Sequence, residues 1–486
     1  MMNRNVGDWA AGLDARSVLE PVACADPLRP RFHFAAPAGW MNDPNGTIYH
    51  DGWHHVFYQH NPASDRWDQM HWGHARSRDL IDWEHLPVAL RPRPEQGEAH
   101  CYSGCCVIGD DGRPTIFYTS IGPGRQAEDA AEQFSATGSS DLIHWRQADA
   151  ASLTNALQAP IEIHDWRDPF VFRDHGRWWM LVGGSRRGGR GCVALYQSDD
   201  LRDWRYAGIP IEGSEGTWEC PNLLRLGEHD VLLYSPYNRV RYIVGRMDAA
   251  GCRFDADHTS LLDWAYPHHF YATNSLTTTD GRCAVLAWIS GFGVGRGWSG
   301  CLAFPREVWC DGAGRLRQRP VREIERLRLG QADEIEQVVS PDPMPVTRRS
   351  TTTFELRLRL TLGSAPAVRL SLGSLGDLRW DGQTLQLGQA TAPVGGEAAV
   401  DLAMGDPAGD VTVTEAVTDD ATDAAGCLDL QILVDQTVVE IFASASVAFT
   451  ELAGDVVDAS SLTLRAEGGN ASARGKLWTL RAAYFS

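Results

Sequence analysis

The chain has 486 residues, 43% of them hydrophobic, and a formal net charge of −19 at pH 7. That length exceeds what one hydrophobic core usually supports, so two domains are the starting expectation. The acidic balance disfavours nucleic acid or an anionic membrane as partner, because phosphate binding needs a basic surface, and no segment carries the roughly 18 to 20 apolar residues of a membrane span.

Residues 1–29 read as an N-terminal extension. Met1 to Trp9 is not followed by an uninterrupted apolar stretch of signal-peptide length, so a cytoplasmic location is expected. A repeat then begins, in which a glycine turn opens an apolar strand. Asp51-Gly52 precedes His55 to Tyr58, Asp111-Gly112 precedes Thr115 to Tyr118, and His175-Gly176 precedes Trp178 to Val182. Gly227-Glu228 before Val231 to Tyr234, and Asp280-Gly281 before Ala284 to Trp288, complete five units. A second signature runs between them: Ser77 to Trp83, Ser139 to Trp145 and Ser198 to Trp204, each with Asp-Leu at its centre. Short strands and Asp-Gly turns at this period predict a β-propeller, and five units predict five blades over residues 30–320. Trp83, Trp145 and Trp204, repeating with the blades, read as structural.

Three acids share one phase of the repeat. Asp43 lies 9 residues before Gly52, Asp168 lies 8 before Gly176, and Glu219 lies 8 before Gly227. That phase is the innermost strand of a blade, so the three carboxylates are expected to converge on one site suited to sugar chemistry. The same phase holds Tyr102-Ser103-Gly104 and Phe270-Tyr271-Ala272, polar and aromatic groups fit to line a pocket. The plainer reading is that Asn-Asp-Pro and Arg-Asp-Pro are turn formers; three acids at one phase weigh against it. The eleven cysteines lack zinc-site spacing and are expected as buried thiols, with no metal and no cofactor implied.

The texture changes near residue 320. Residues 321–349 read as a linker, and 350–486 as a β-sandwich, because Thr353 to Leu360 and Leu430 to Val434 alternate as strands with one buried face. Asp401 to Ala425 is acidic, rich in small residues, and expected as loop. The whole chain is thus expected to be all-β, a five-bladed β-propeller followed by a C-terminal β-sandwich.

The motifs Trp40 to Gly46, Phe57 to Pro62, His71 to His74, Arg167-Asp168-Pro169, Trp218 to Pro221 and Gly297 to Cys301, in this order, resemble glycoside hydrolase family 32, the invertase, inulinase and levanase group. Val434-Asp435 to Phe442 resembles that family's sandwich domain. The resemblance implies a retaining β-fructofuranosidase acting on a small fructoside, with Asp43 as nucleophile, Glu219 as acid/base and Asp168 as transition-state stabiliser. It implies that Asn42, Gln59, Trp67, Trp72, Ser103, Arg167, Tyr271 and Trp298 surround the sugar. Trp218 is a candidate apolar wall for Glu219, and Cys220 is expected to pack.

Two departures, Tyr102 to Cys105 in place of Phe-Ser-Gly-Ser and Asn274 in place of Gln or Lys, leave sucrose, sucrose 6-phosphate and fructo-oligosaccharides all open, and hydrolysis undivided from fructosyl transfer. Arg186 to Gly191 offers either a phosphate site or an exposed loop, and His268-His269 a substrate contact. An inverting five-bladed glycosidase and a non-catalytic sugar-binding propeller are the rival classes.

Overall fold

The computed structural model describes residues 7–122, 130–154, 163–186, 189–213, 216–267, 269–394, 396–398, 416–418 and 426–485. Of the features noted above, Arg187, Gly188, His268, residues 1–6 and most of 401–425 lie outside the described residues.

Among the described residues, five sheets built mainly of antiparallel strands precede residue 321. The first contains Gly39–His50, Trp53–Asn61, His71–Ser77 and Trp83–Leu90. The second contains His100–Ile108, Pro114–Ile121, Glu132–Gly138 and Trp145–Gln147; the third Ile163–Asp174, Arg177–Arg186, Arg190–Ser198 and Arg205–Glu212. The fourth contains Glu219–Leu226, His229–Ser235, Arg241–Asp248 and Arg253–Leu261; the fifth Tyr271–Thr277, Cys283–Ile289, Arg306–Cys310 and Leu316–Pro320. The leading strands of successive sheets touch in order, and the leading strand of the fifth touches that of the first, an arrangement that fits a propeller. Trp298–Ser299 pairs in parallel with Gly39–Trp40 and ties the last sheet back to the first.

The repeat motifs explain this regularity. At Asp51-Gly52 and His175-Gly176 both turn residues have positive φ (46° and 83°; 46° and 78°), the conformation that suits tight hairpins of right-handed twist. In the Ser-x-Asp-Leu repeat, Asp79 accepts the N–H groups of Ile81 and Asp82, and Asp200 those of Arg202 and Asp203. Those bonds support the positive φ of Leu80 and Leu201. The tryptophans that follow join neighbouring sheets: Trp145 meets Phe57 edge-on at 5.5 Å, and Trp204 meets Phe117 at 5.6 Å.

Beyond the propeller-like part, two six-stranded antiparallel sheets enclose a core that includes Leu356, Leu358, Trp380, Leu464 and Leu477. One expectation needs correction. Residues 321–349 are not only a linker, because Arg328–Val339 is the edge strand of one sandwich sheet and pairs with Ala471–Leu480. Its sequence hides this, since an edge strand leaves most of its side chains in water and so lacks strict alternation. A helix, Gly7–Ala25, lies with its backbone on Gly297, where an added Cβ would stand 2.5 Å from the Leu19 carbonyl oxygen.

The two parts share one hydrophobic cluster, in which Leu433, Val438, Phe442 and Ala448 of the sandwich meet Phe270, Leu302 and Phe304. Within this seam sits a buried ionic network. Arg306, fully buried, donates to Asp263 (2.8 Å), Glu440 (3.1 Å) and Gln318 (3.0 Å) and lies 4.0 Å over the Phe270 ring. His33 contacts Asp435 at 2.9 Å and Glu440 at 3.5 Å. Burial alone lowers an imidazole, but the two carboxylates more than reverse this and raise His33 to about 9.

Candidate active site

All five leading strands break register at the same place. The pairing slips between Met41 and Pro44, Cys101 and Gly104, Arg167 and Phe170, Glu219 and Asn222, and Tyr271 and Asn274. Such bulges re-aim side chains that an even ladder would direct into the sheet faces. Inside them Asp168, Cys220 and Ala272 have φ of 62°, 48° and 51°. Pro169 and Pro221 lie inside these interruptions, where the missing N–H costs no ladder bond, and Pro44 stands where the first ladder resumes opposite Tyr58.

The bulges bring Asp43, Ser103, Asp168, Arg167, Glu219 and Tyr271 together. Asp43 accepts hydrogen bonds from Asn42 Nδ2 at 2.9 Å and from Ser103 Oγ at 2.5 Å, while Asn42 Oδ1 accepts from the Trp40 indole at 2.7 Å. The nearby Asp168 is buried and accepts from the Cys220 backbone N–H at 3.0 Å and from its thiol at 3.5 Å. Cys220 packs in the hydrophobic core as expected, and its Sγ also lies 3.6 Å from Asp43 Oδ2, so this buried thiol bridges two of the acids.

Glu219 has different surroundings. Arg167 donates to its Oε1 through Nε at 3.1 Å and Nη2 at 2.8 Å, and the Tyr271 hydroxyl donates to Oε2. Arg167 is itself held by Asp165 Oδ1 at 2.9 Å and by the Tyr237 hydroxyl. Burial raises the Glu219 carboxyl, Arg167 and Tyr271 pull it down, and Asp43 adds to the rise, leaving it above its ordinary value. Burial also pushes Asp168 up, to about 7, against Arg167 and with the charges of Glu219 and Asp43.

The other expected residues divide. Gln59 is buried and donates to the Cys101 carbonyl at 2.9 Å. Trp67 is 45% exposed, stacked on His100 at 4.8 Å, and forms part of the rim. Trp72 is fully buried, with its indole N–H on the Tyr102 carbonyl at 3.0 Å and its ring against Phe57 and Tyr118. Trp298 is likewise buried and bonds Asp26 at 3.0 Å beneath the N-terminal segment. For these two the structure shows packing roles in place of the expected sugar contact. Trp218 stacks on Tyr234 at 4.0 Å and closes around Gly191 and Gly213, so it is core and not a wall for Glu219. Asn274 accepts from Thr47 Oγ1 at 2.6 Å and links the fifth sheet to the first. Tyr237 and Asp165 were not foreseen, since neither falls at the repeat phase of the acids.

Three carboxylates, one of them raised and held by an arginine and a tyrosine, form a site capable of paired acid/base and nucleophilic chemistry. Among the described residues no group of three or more His, Cys, Asp or Glu could hold a metal ion, and no helix among them is long and apolar enough to cross a membrane.

The model of the glycosyl hydrolases family 32 N-terminal domain matches residues 33–320. A sucrose-6-phosphate hydrolase of Escherichia coli is 34% identical over 386 residues, 74% of this chain and 78% of the relative. A raffinose invertase of Escherichia coli is 36% identical over 346 residues, 65% of this chain and 69% of the relative. The solved sucrose-6-phosphate hydrolase of Lactobacillus gasseri shares the fold, with a TM-score of 0.78 at 23% identity over 97% of this chain and 96% of that one. With a family model spanning more than half its length, and the acids of that region gathered at one mouth, the chain belongs to glycosyl hydrolase family 32 and is a glycoside hydrolase.

Proposed function

We propose that this glycoside hydrolase is a retaining β-fructofuranosidase that frees terminal β-D-fructofuranosyl groups from sucrose and short fructo-oligosaccharides. The observation that carries the reading is the unequal treatment of two acids. Asp43 is held by three neutral donors, Asn42, Ser103 and Cys220, whereas Glu219 is buried, raised, and gripped by Arg167 and Tyr271. In this mechanism an Asp43 oxygen attacks the anomeric carbon while the Glu219 carboxylic acid protonates the departing oxygen. A covalent fructosyl-enzyme forms. Glu219, now ionised, takes a proton from water as that water attacks the same carbon and releases Asp43. Two displacements retain configuration. Asp168 holds fructose hydroxyls and stabilises the positive charge of the oxocarbenium-like state. Asn42 and Ser103 orient the nucleophile, and Gln59 and Trp67 border the sugar.

We count one blade per sheet, five in all, over residues 30–320, with the sandwich beginning at Arg328; the closed order of the leading strands supports this count. The relatives named for sucrose 6-phosphate and raffinose support a substrate with a terminal fructosyl group. Unphosphorylated sucrose is favoured because Arg186 and Arg190 are both paired with Glu212, at 3.8 and 3.1 Å. A cytoplasmic location accords with small substrates.

The test is release of fructose and glucose from sucrose, sucrose 6-phosphate, 1-kestose, inulin and levan, run beside Glu219→Gln, with the first-formed fructose anomer followed by NMR. Release of β-fructose that Glu219→Gln loses supports the mechanism. Initial α-fructose, or an Asp43→Ala variant as active as the parent, would falsify it.

A further inference from the structure

Residues 263–267 and 269–270 lie between the outermost strand of the fourth sheet and the leading strand of the fifth, and Asp263, Trp264, Tyr266 and His269 bond the sandwich strand Val447–Leu452. Trp264 N–H donates to the Ala448 carbonyl at 2.8 Å. Thr450 donates to Asp263 through its N–H at 3.0 Å and its hydroxyl at 2.8 Å. Glu451 then uses both oxygens: Oε1 accepts the Tyr266 N–H at 2.9 Å, and Oε2 contacts His269 Nδ1 at 2.7 Å. Tyr266 and His269 are the two ends of one turn, closed by His269 N–H on the Tyr266 carbonyl at 3.1 Å. A single carboxylate of the sandwich therefore grips both ends of a turn in the propeller.

The turn has little room to shift. A Cβ added at Gly291 would stand 3.0 Å from Leu452 and 3.3 Å from the His269 ring. On its other side Arg239 Nε donates to the Ala265 carbonyl at 2.7 Å. Two residues after His269 comes Tyr271, whose hydroxyl donates to Glu219 and accepts the Tyr237 N–H at 2.7 Å. The path from Glu451 to Glu219 thus runs through one turn and one side chain.

We propose that the sandwich domain takes part in catalysis, with Glu451 as a positioning residue that sets Tyr271 and, through it, Glu219. This rests on the reading of Glu219 as the acid/base. The groups that face Glu219 are Arg167, Tyr271, Tyr237, Asp43 and Asp168, and of these Tyr271 follows the turn directly in the chain. Loss of a hydrogen bond donated to the ionised form raises a carboxyl, so misplacing Tyr271 moves the basic limb of the pH profile upward. A displacement of ~1 Å at a catalytic group costs on the order of 100-fold in rate.

The experiment measures sucrose hydrolysis across pH by the full-length Glu451→Ala, Glu451→Gln and Tyr271→Phe variants, the double variant Glu451→Ala/Tyr271→Phe, and Glu219→Gln. Glu451→Ala is expected to lower kcat by about 10- to 100-fold with little change in KM, and to move the basic limb to higher pH. Tyr271→Phe should do the same, and the double variant should be no worse than the poorer single. Glu451→Gln, which keeps an acceptor for the Tyr266 N–H, should recover part of the rate. A parental kcat and basic limb in folded Glu451→Ala, or losses that multiply in the double variant, overturn the positioning role. If the alanine variant fails to fold, Glu451→Gln decides: a partial kcat loss with the raised limb supports the role, and parental behaviour overturns it. Glu219→Gln separates the two readings. Should it keep parental activity, the acid assignment falls and the positioning role with it; an inactive Glu219→Gln beside a parental Glu451→Ala overturns the positioning role alone.

Discussion

Replacing Asp168 with asparagine is expected to stabilise the protein at neutral pH while removing most of its activity. Asp168 is buried and, among the described residues, accepts hydrogen bonds only from Cys220. Its carboxyl is raised from 3.8 to about 7, first by burial and then by the charges of Glu219 and Asp43. The folded chain therefore holds this proton more tightly than the unfolded chain does. Its favourable contribution is present below pH ~4 and is lost as pH rises through ~7, so above that point the ionised group is a net burden. At ~1.4 kcal/mol per pH unit the full burden is on the order of 4 kcal/mol. Arg167 offsets part of the charge and Glu219 competes for the same proton, so about 2 kcal/mol is expected in practice. Asparagine keeps an acceptor for the Cys220 N–H and tolerates the φ of 62° found here, which would strain most other residues. Arg167 retains Glu219 and Asp165 as partners. For a chain of this size the gain corresponds to a rise in Tm of about 2 to 4 °C. Calorimetry from pH 4 to pH 8 would read it: Asp168→Asn should melt higher than the parent at pH 8, and the difference should shrink to nothing near pH 4. A variant that melts lower at pH 8, or a gain that does not change with pH, refutes the reasoning.

Glu219→Gln should lower kcat by ~10²- to 10⁴-fold, and the parental rate should fall as pH rises above the Glu219 carboxyl, seen as the basic limb of kcat/KM. Arg306→Met leaves Asp263 buried without its cation and Glu440 with His33 alone and should cost ~3 to 5 kcal/mol in denaturant unfolding; a loss below ~1 kcal/mol would contradict the network's role. His33 is raised to about 9, so its contribution is complete below ~6.5 and disappears as pH passes ~9. The parent should lose stability across that window, and the loss should be shallower in His33→Gln. Trp298→Phe breaks the bond to Asp26 and should lower stability by ~1 to 3 kcal/mol with an unchanged KM, whereas Trp67→Ala, at the exposed rim, should raise KM.

The strands and their turns were legible because each depends on a few adjacent residues. Asp51-Gly52 and His175-Gly176 specify their hairpins locally, and Ser-x-Asp-Leu holds its own backbone. The convergence of Asp43, Asp168 and Glu219 followed from counting residues back to the turn glycines, since equal phase means equal height in equivalent strands. The prolines at 44, 169 and 221 are traces of the bulges, readable only once the strands around them are known. Side-chain direction was less legible. Trp72 and Trp298 belong to motifs that imply sugar contact, yet the tertiary structure buries both against Tyr102 and Asp26. Trp218 sits beside Glu219 in sequence, yet its ring is buried against Tyr234.

By itself the sequence determined the repeat, the phase of the acids and the change from propeller-like to sandwich-like strands, because all three are written in local spacing. Only the tertiary structure decided which groups complete the site and how its parts are held. His33 meets Asp435 across 402 positions, and His269 meets Glu451 across 182. No local pattern encodes such pairs, because whether a carboxylate grips a turn depends on how two separately formed sheets come to lie against each other.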